Sequence, residues 1–151
     1  MKKLEDILKQ SPVFLNNWET KIDIISDFDD IYMSENEYLS EVAPYANIKV
    51  WEEKKVAMKK AIEEWQPINI LFASYGIECY SGSAFVLFER DGKLFEVNGS
   101  HCSCYGLEGQ FEPEETTLDV IEFRLTKGTL GTDDYYGNEF AKELKIFLGI
   151  E

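Results

Sequence analysis

Histidine is almost missing from this chain: His101 is the only one in 151 residues. Cysteine is scarce as well, and three residues, an odd number, make no disulfide framework. No apolar run approaches the roughly 20 residues that cross a bilayer, so no membrane-spanning segment is expected. Positive charge is in short supply. Lys and Arg number 15 against 29 Asp and Glu, a net charge of −14. The deficit runs along the whole chain, with nine basic against fourteen acidic side chains over residues 1–66 and six against fifteen over 67–151. Such a charge repels phosphate backbones and anionic lipid surfaces and attracts basic partners. Direct binding to nucleic acid or membrane is therefore not expected, and a protein with a basic surface is. The N-terminus, Met1-Lys2-Lys3-Leu4-Glu5-Asp6, lacks the apolar stretch of a secretion signal, so a cytoplasmic location with free thiols is expected. Repeats, low-complexity tracts and linkers are absent too, and no motif calls for a cofactor.

What is present suffices for one domain with its own core: hydrophobic residues are 44% and aromatic residues 14% of the chain. Residues 1–66 read as helical. Leu4, Ile7 and Leu8 form a short amphipathic turn. Ser11-Pro12 then resembles a capped helix start, followed by Leu15, Trp18, Ile22 and Ile25 at helical steps. Residues 31–46, with Tyr32, Tyr38, Pro44 and Tyr45, suit a short helix or ordered loop. Asn47 opens a better helix, with Trp51, Met58, Ile62 and Trp65 on one face and Pro67 as its stop. Beyond residue 67 the pattern changes. Ile68–Ser74 suits a buried strand and Tyr75–Gly82 a loop. Ser83–Arg90 and Lys93–Asn98 flank Asp91-Gly92 as a β-hairpin, with Phe88 facing Phe95 and Val86 facing Val97. Residues 113–127 fit either a helix or a strand, with helix preferred, and Asn138–Leu148 closes the chain as a helix. The expected architecture is α+β, a helical N-terminal half packed on a small antiparallel sheet that contains the hairpin 83–98, followed by a C-terminal helix.

Chemistry concentrates in Ser100-His101-Cys102-Ser103-Cys104-Tyr105-Gly106-Leu107-Glu108-Gly109-Gln110. Cys79, His101, Cys102 and Cys104 supply the residue types of a zinc site, but no paired knuckle spacing, and adjacent His101 and Cys102 diverge in an extended chain. His101 with Cys104 is the candidate base and nucleophile, although nearby carboxylates oppose a thiolate. The plainer alternative makes Cys102 and Cys104 small buried groups in an ordered loop turned by Gly106 and Gly109. Tyr75, Tyr80 and Tyr105 suggest a pocket for a small signalling molecule. Two acidic tracts remain. Residues 19–41 hold eight carboxylates and one lysine, and residues 108–122 hold six carboxylates and no basic residue. Asp27-Phe28-Asp29-Asp30 lacks the glycine and spaced glutamate of a calcium loop. Carboxylates interleaved with aromatics can imitate a polyanion toward a basic groove. Asp27, Asp29, Asp30, Glu108, Phe111, Glu112, Glu114, Glu115, Tyr135 and Tyr136 are the candidate contact residues.

Tyr80–Asn98, followed by His101-Cys102-Ser103-Cys104-Tyr105-Gly106-Leu107-Glu108-Gly109-Gln110-Phe111-Glu112-Pro113-Glu114-Glu115-Thr116, resembles a block in a family of small bacteriophage and prophage proteins. A tryptophan is usual in that family where Phe111 stands. The resemblance covers about residues 70–127 and implies a phage accessory gene, a setting rich in inhibitors of host defence. It implies neither a fold nor an activity. Charge and resemblance together lead to the expectation of a non-catalytic protein that inhibits a host nucleic-acid-binding defence protein through an acidic, DNA-like surface.

Overall fold

The structure, a computed structural model, describes residues 1–31 and 48–151. Five strands form one mixed sheet in the order β1 (Val13–Asn16), β2 (Asn69–Glu78), β3 (Ser81–Arg90), β4 (Lys93–His101) and β5 (Glu114–Thr116). β1 runs parallel to β2, and the remaining neighbours are antiparallel. The α+β class stands, but the sheet is neither small nor wholly antiparallel. The hairpin forms as expected, with Phe88 opposite Phe95 and Val86 opposite Val97 around the Asp91-Gly92 turn.

Alternation along β3 shows why both faces are covered. Ala84, Val86 and Phe88 enter a core with Trp18, Phe28, Met58 and Trp65, while Phe85 and Leu87 enter a second core with Phe140, Leu144 and Phe147. Helices α2 (Lys21–Phe28) and α3 (Ile48–Trp65) lie over the first face. Helices α1 (Leu4–Ile7), α4 (Leu118–Thr126) and α5 (Ala141–Leu148) lie over the second. A strand buried on both faces loses the clean polar alternation of an exposed sheet, and β2 and β3 are accordingly near-continuous apolar runs. Each fully buried phenylalanine, such as Phe72, Phe85 or Phe88, contributes about 2–3 kcal/mol of transfer free energy. In β2 an irregularity between Ile70 and Phe72 sends Leu71 and Phe72 into the same core, which lets one strand serve both layers.

The helical N-terminal half is corrected. Ser11-Pro12 leads into β1, not a helix, and Leu15 pairs with Ser74. Val13, Phe14 and Leu15 are β-compatible side chains whose partner strand lies more than fifty residues ahead, so local spacing could not reveal them. The helix begins instead at Lys21. Thr20 caps it through the Asp23 amide, and the Asp23 carboxylate receives the Thr20 amide in return. Met58 and Trp65 bury the inward face of α3 as expected, Ile62 is half-buried against the same core, and Ala61, which was not expected there, is buried with them. The readings of 32–47, including Tyr32, Tyr38, Pro44, Tyr45 and Asn47, and of the Trp51 side chain lie outside the described residues. Residues 113–127 divide between the two readings: β5 comes first, then Thr117 caps α4 through the Val120 amide. The closing helix starts three residues later than expected, at Ala141. The stretch before it forms the short ribbon β6 (Thr132–Asp133) and β7 (Asn138–Glu139).

Candidate functional site

At one end of the sheet β4 terminates in His101, directly opposite Gly82 of β3. The imidazole stands edge-on to Tyr75, centroids 5.7 Å apart, and its Nδ1 lies 3.0 Å from the Cys102 carbonyl. Its Nε2 is buried without a hydrogen-bond partner, against Gly82. A Cβ at Gly82 would lie 2.7 Å from that nitrogen, so the glycine is needed for the ring to seat. Neither ring nitrogen bonds a cysteine sulfur, and the His101–Cys104 nucleophile pair is not assembled. Cys79, Cys102 and Cys104 are all exposed and unpaired, which corrects the reading of Cys102 and Cys104 as buried groups. Among the described residues no three His, Cys, Asp or Glu side chains gather as a metal site requires. One thiol is perturbed. The Cys104 backbone amide, 3.5 Å from Cys102 Sγ, holds the Cys102 thiol below its ordinary range. Tyr75, Tyr80 and Tyr105 do not converge on a pocket: Tyr75 is 5% exposed beneath Trp18 and His101, while Tyr80 and Tyr105 stand out at 81% and 55%.

The acidic tracts meet in part. The Gly109 amide donates to the Phe28 carbonyl at 3.3 Å, fastening the end of α2 to the loop that follows His101. Phe111 packs against Phe28, Trp65 and Phe88 below that junction. Asp29, Asp30, Glu108 and Glu112, all exposed, therefore border one seam. The seam is tied to the core by two indoles. Trp18 Nε1 donates to Asp27 at 2.7 Å, and Trp65 Nε1 donates to Asp29 at 3.1 Å. Burial pushes the Asp27 carboxyl up, and the Asp23 charge adds to this, against the opposing Trp18 bond. Burial, followed by the Glu64 charge, likewise raises Asp29 against its Trp65 bond. Burial, and then Asp27 and Glu108, hold the Tyr75 phenol above its ordinary range.

The remaining candidates lie elsewhere. Glu114 and Glu115 sit on edge strand β5, opposite Glu96 and Phe95, and Glu115 shares a cavity with Lys2, Lys3 and Lys93. Tyr135 and Tyr136 occupy the turn between β6 and β7, on the sheet face opposite the seam, with rings 4.9 Å apart. Gly137 of that turn lies so close to β2 that a Cβ at Gly76 would come within 2.4 Å of its backbone. Sequence patterning missed two polar arrangements. Glu96, inside β4, is buried and paired with Arg124 of α4 at 2.6 Å. Ser74, fully buried, accepts from Asn16 Nδ2 at 2.7 Å and donates to Asn138 Oδ1 at 2.5 Å. A polar residue amid apolar alternation was the available signal in each strand.

Comparison of the chain with family models, with curated proteins and with solved structures gave no match.

Proposed function

We propose that this chain is a non-catalytic binding protein. Its acidic seam, formed by Asp29, Asp30, Glu108 and Glu112, engages a basic surface of a host protein. The phage-like block makes a nucleic-acid-binding defence protein of the bacterial cytoplasm the target in view, inhibited by occupation of the surface that otherwise receives a polyanion. One observation carries the reading. The Phe28–Gly109 bond joins carboxylates from two distant tracts, and among the described residues none of the four is in an ion pair, since the single pair there is Arg124–Glu96. Exposed carboxylates facing a basic groove supply association rate and specificity, and the rate falls as salt rises. Glu114, Glu115, Tyr135 and Tyr136 belong to other surfaces and are left out of this contact.

The test is capture of a partner from bacterial lysate by the tagged full chain, followed by reconstitution with the purified partner and its nucleic acid. The triple reversal Asp30→Lys, Glu108→Lys and Glu112→Lys is expected to lower the association rate about tenfold or more at low salt. The double reversal Glu114→Lys and Glu115→Lys is expected to change it far less. The nucleic acid and the protein should compete for the partner. Binding indifferent to salt and to the triple reversal refutes the proposal.

A further inference from the structure

A second polar site lies on the sheet face away from the seam. Where α4 and α5 leave the ends of β3 and β4 uncovered, a cleft of 370 Å³ opens between the strands and the segment 129–140. Its floor is made of two cross-strand pairs, Ser83 opposite Ser100 and Phe85 opposite Asn98. Its wall carries a third pair, Asp133 opposite Asn138. Among the described residues Asp133 is the only ionisable side chain lining the cleft. It receives Ser83 Oγ at 2.9 Å and the Tyr136 amide at 3.1 Å, and among the described residues no cation pairs with it.

Asn138 is the independent observation. It is 3% exposed, and Ser74 Oγ and Asn16 Nδ2 both donate to its Oδ1. With Oδ1 occupied in this way, the Asn138 amide lines the cleft with its Nδ2 as the group that can donate to whatever enters. Asn98 is placed in the complementary sense. Its Nδ2 is spent on Glu96 Oε1 at 2.9 Å, and its Oδ1 remains as an acceptor.

Among the described residues the cleft thus offers a carboxylate and a carbonyl oxygen that accept, an amide that donates, the Ser100 and Thr129 hydroxyls that can do either, and no positive charge. An anion is repelled there. A planar cation rich in N–H groups, attached to a carbonyl, satisfies every group named. We infer that the cleft receives an arginine residue, with its guanidinium forked onto Asp133 and its main-chain carbonyl on Asn138 Nδ2. An arginine on the surface of a protein partner and free arginine-like metabolites share this chemistry. This contact goes beyond the acidic seam and can be tested without a partner, so either proposal can fail alone.

The experiment is an NMR titration of the full chain labelled with nitrogen-15. The probes are N-acetyl-arginine methylamide, its neutral citrulline analogue, agmatine, which has the guanidinium without the carbonyl, and guanosine. Expected are saturable shifts of the Asn138 side-chain amide and of the Ser100 and Gly131 amides with the arginine probe. Binding should be about tenfold weaker with citrulline, where the charge-assisted pair is lost. Agmatine binding as tightly as the arginine probe would instead point to a free metabolite as the natural occupant and overturn the carbonyl contact. The Asp133→Asn variant, which keeps oxygen and nitrogen in place of the carboxylate, should abolish the preference for arginine over citrulline. Asp134→Asn, at the exposed neighbour, should leave it intact. Shifts confined to the seam, equal binding of citrulline, an unaltered preference in Asp133→Asn, or stronger binding of guanosine each overturn the inference. The wild-type shift map decides even if one variant fails to fold.

Discussion

Asp30 sits at φ 56°, just beyond the end of α2, and the Ile31 amide returns to the Ser26 carbonyl at 2.9 Å. That is the helix stop in which glycine normally occupies the left-handed position. An aspartate there costs backbone strain, and its charge opposes the negative end of the helix dipole, as do those of Asp27 and Asp29. Asp27 and Asp29 offset that cost by accepting from the Trp18 and Trp65 indoles, whereas among the described residues the Asp30 carboxylate accepts no such bond. Asp30→Gly should raise the free energy of unfolding in urea by about 1 kcal/mol and weaken association with the partner. A loss of stability would show that Asp30 makes a contact that glycine cannot replace. Glu96 presents the opposite case. Burial pushes its carboxyl up, but the hydrogen bond and charge of Arg124, with the Asn98 amide, outweigh this and hold it below its ordinary value of 4.5. A depressed carboxyl favours folding at pH values above 4.5, and that contribution fades as the pH falls through the folded-state value. Arg124→Met should cost about 2 kcal/mol at neutral pH, allowing for a guanidinium side chain that is 35% exposed. The gap between variant and wild type should narrow below pH 4.5 in urea titrations at stepped pH.

At the scale of elements, the turn between β2 and β3 has the two-residue length that normally selects Asn-Gly, yet Cys79 and Tyr80 fill it at φ 51° and 70°. Replacing the pair by Cys79→Asn and Tyr80→Gly should stabilise the hairpin by about 1–2 kcal/mol, read as a shift in thermal midpoint. A neutral result would mean that the strain held at this turn is smaller than its two positive φ angles imply. The same turn explains how far the fold was legible. The Asp91-Gly92 hairpin could be read because its turn residues and its Phe88/Phe95 and Val86/Val97 pairs are local and agree. The Cys79-Tyr80 hairpin could not, since neither residue advertises positive φ, and Tyr75–Gly82 therefore read as a loop. β1 was hidden for a different reason: its one partner among the described residues is β2, and Leu15, Trp18, Ile22 and Ile25 happen to fall at helical intervals although a strand ends and a helix begins among them. The candidate site was legible as a segment and not as an arrangement. His101 and the acidic tracts were visible in the sequence, but the Phe28–Gly109 bond that joins the tracts is a tertiary contact, and Asn138 gave no signal until the fold set it beside Ser74.

Over the whole molecule, a net charge of −14 is stored on a chain whose described residues contain a single ion pair. Self-repulsion then opposes folding through the exposed carboxylates, and added salt screens it within a Debye length of about 10 Å at 0.1 M. Asp29, Asp30, Glu108 and Glu112 border the seam closed by the Gly109–Phe28 bond and are expected to respond most strongly. Stability and association must therefore move in opposite directions. Raising potassium chloride from 20 to about 500 mM should increase the urea midpoint of the isolated chain while slowing its capture of a basic partner. The two slopes share one origin, so the triple reversal at Asp30, Glu108 and Glu112 should flatten both together. If the reversal flattens the association slope and leaves the stability slope unchanged, the repulsion resides elsewhere on the surface. The seam would then be a contact without being the main store of electrostatic strain. If it flattens only the stability slope, the carboxylates are crowded but do not face the partner, and the seam is not the binding surface.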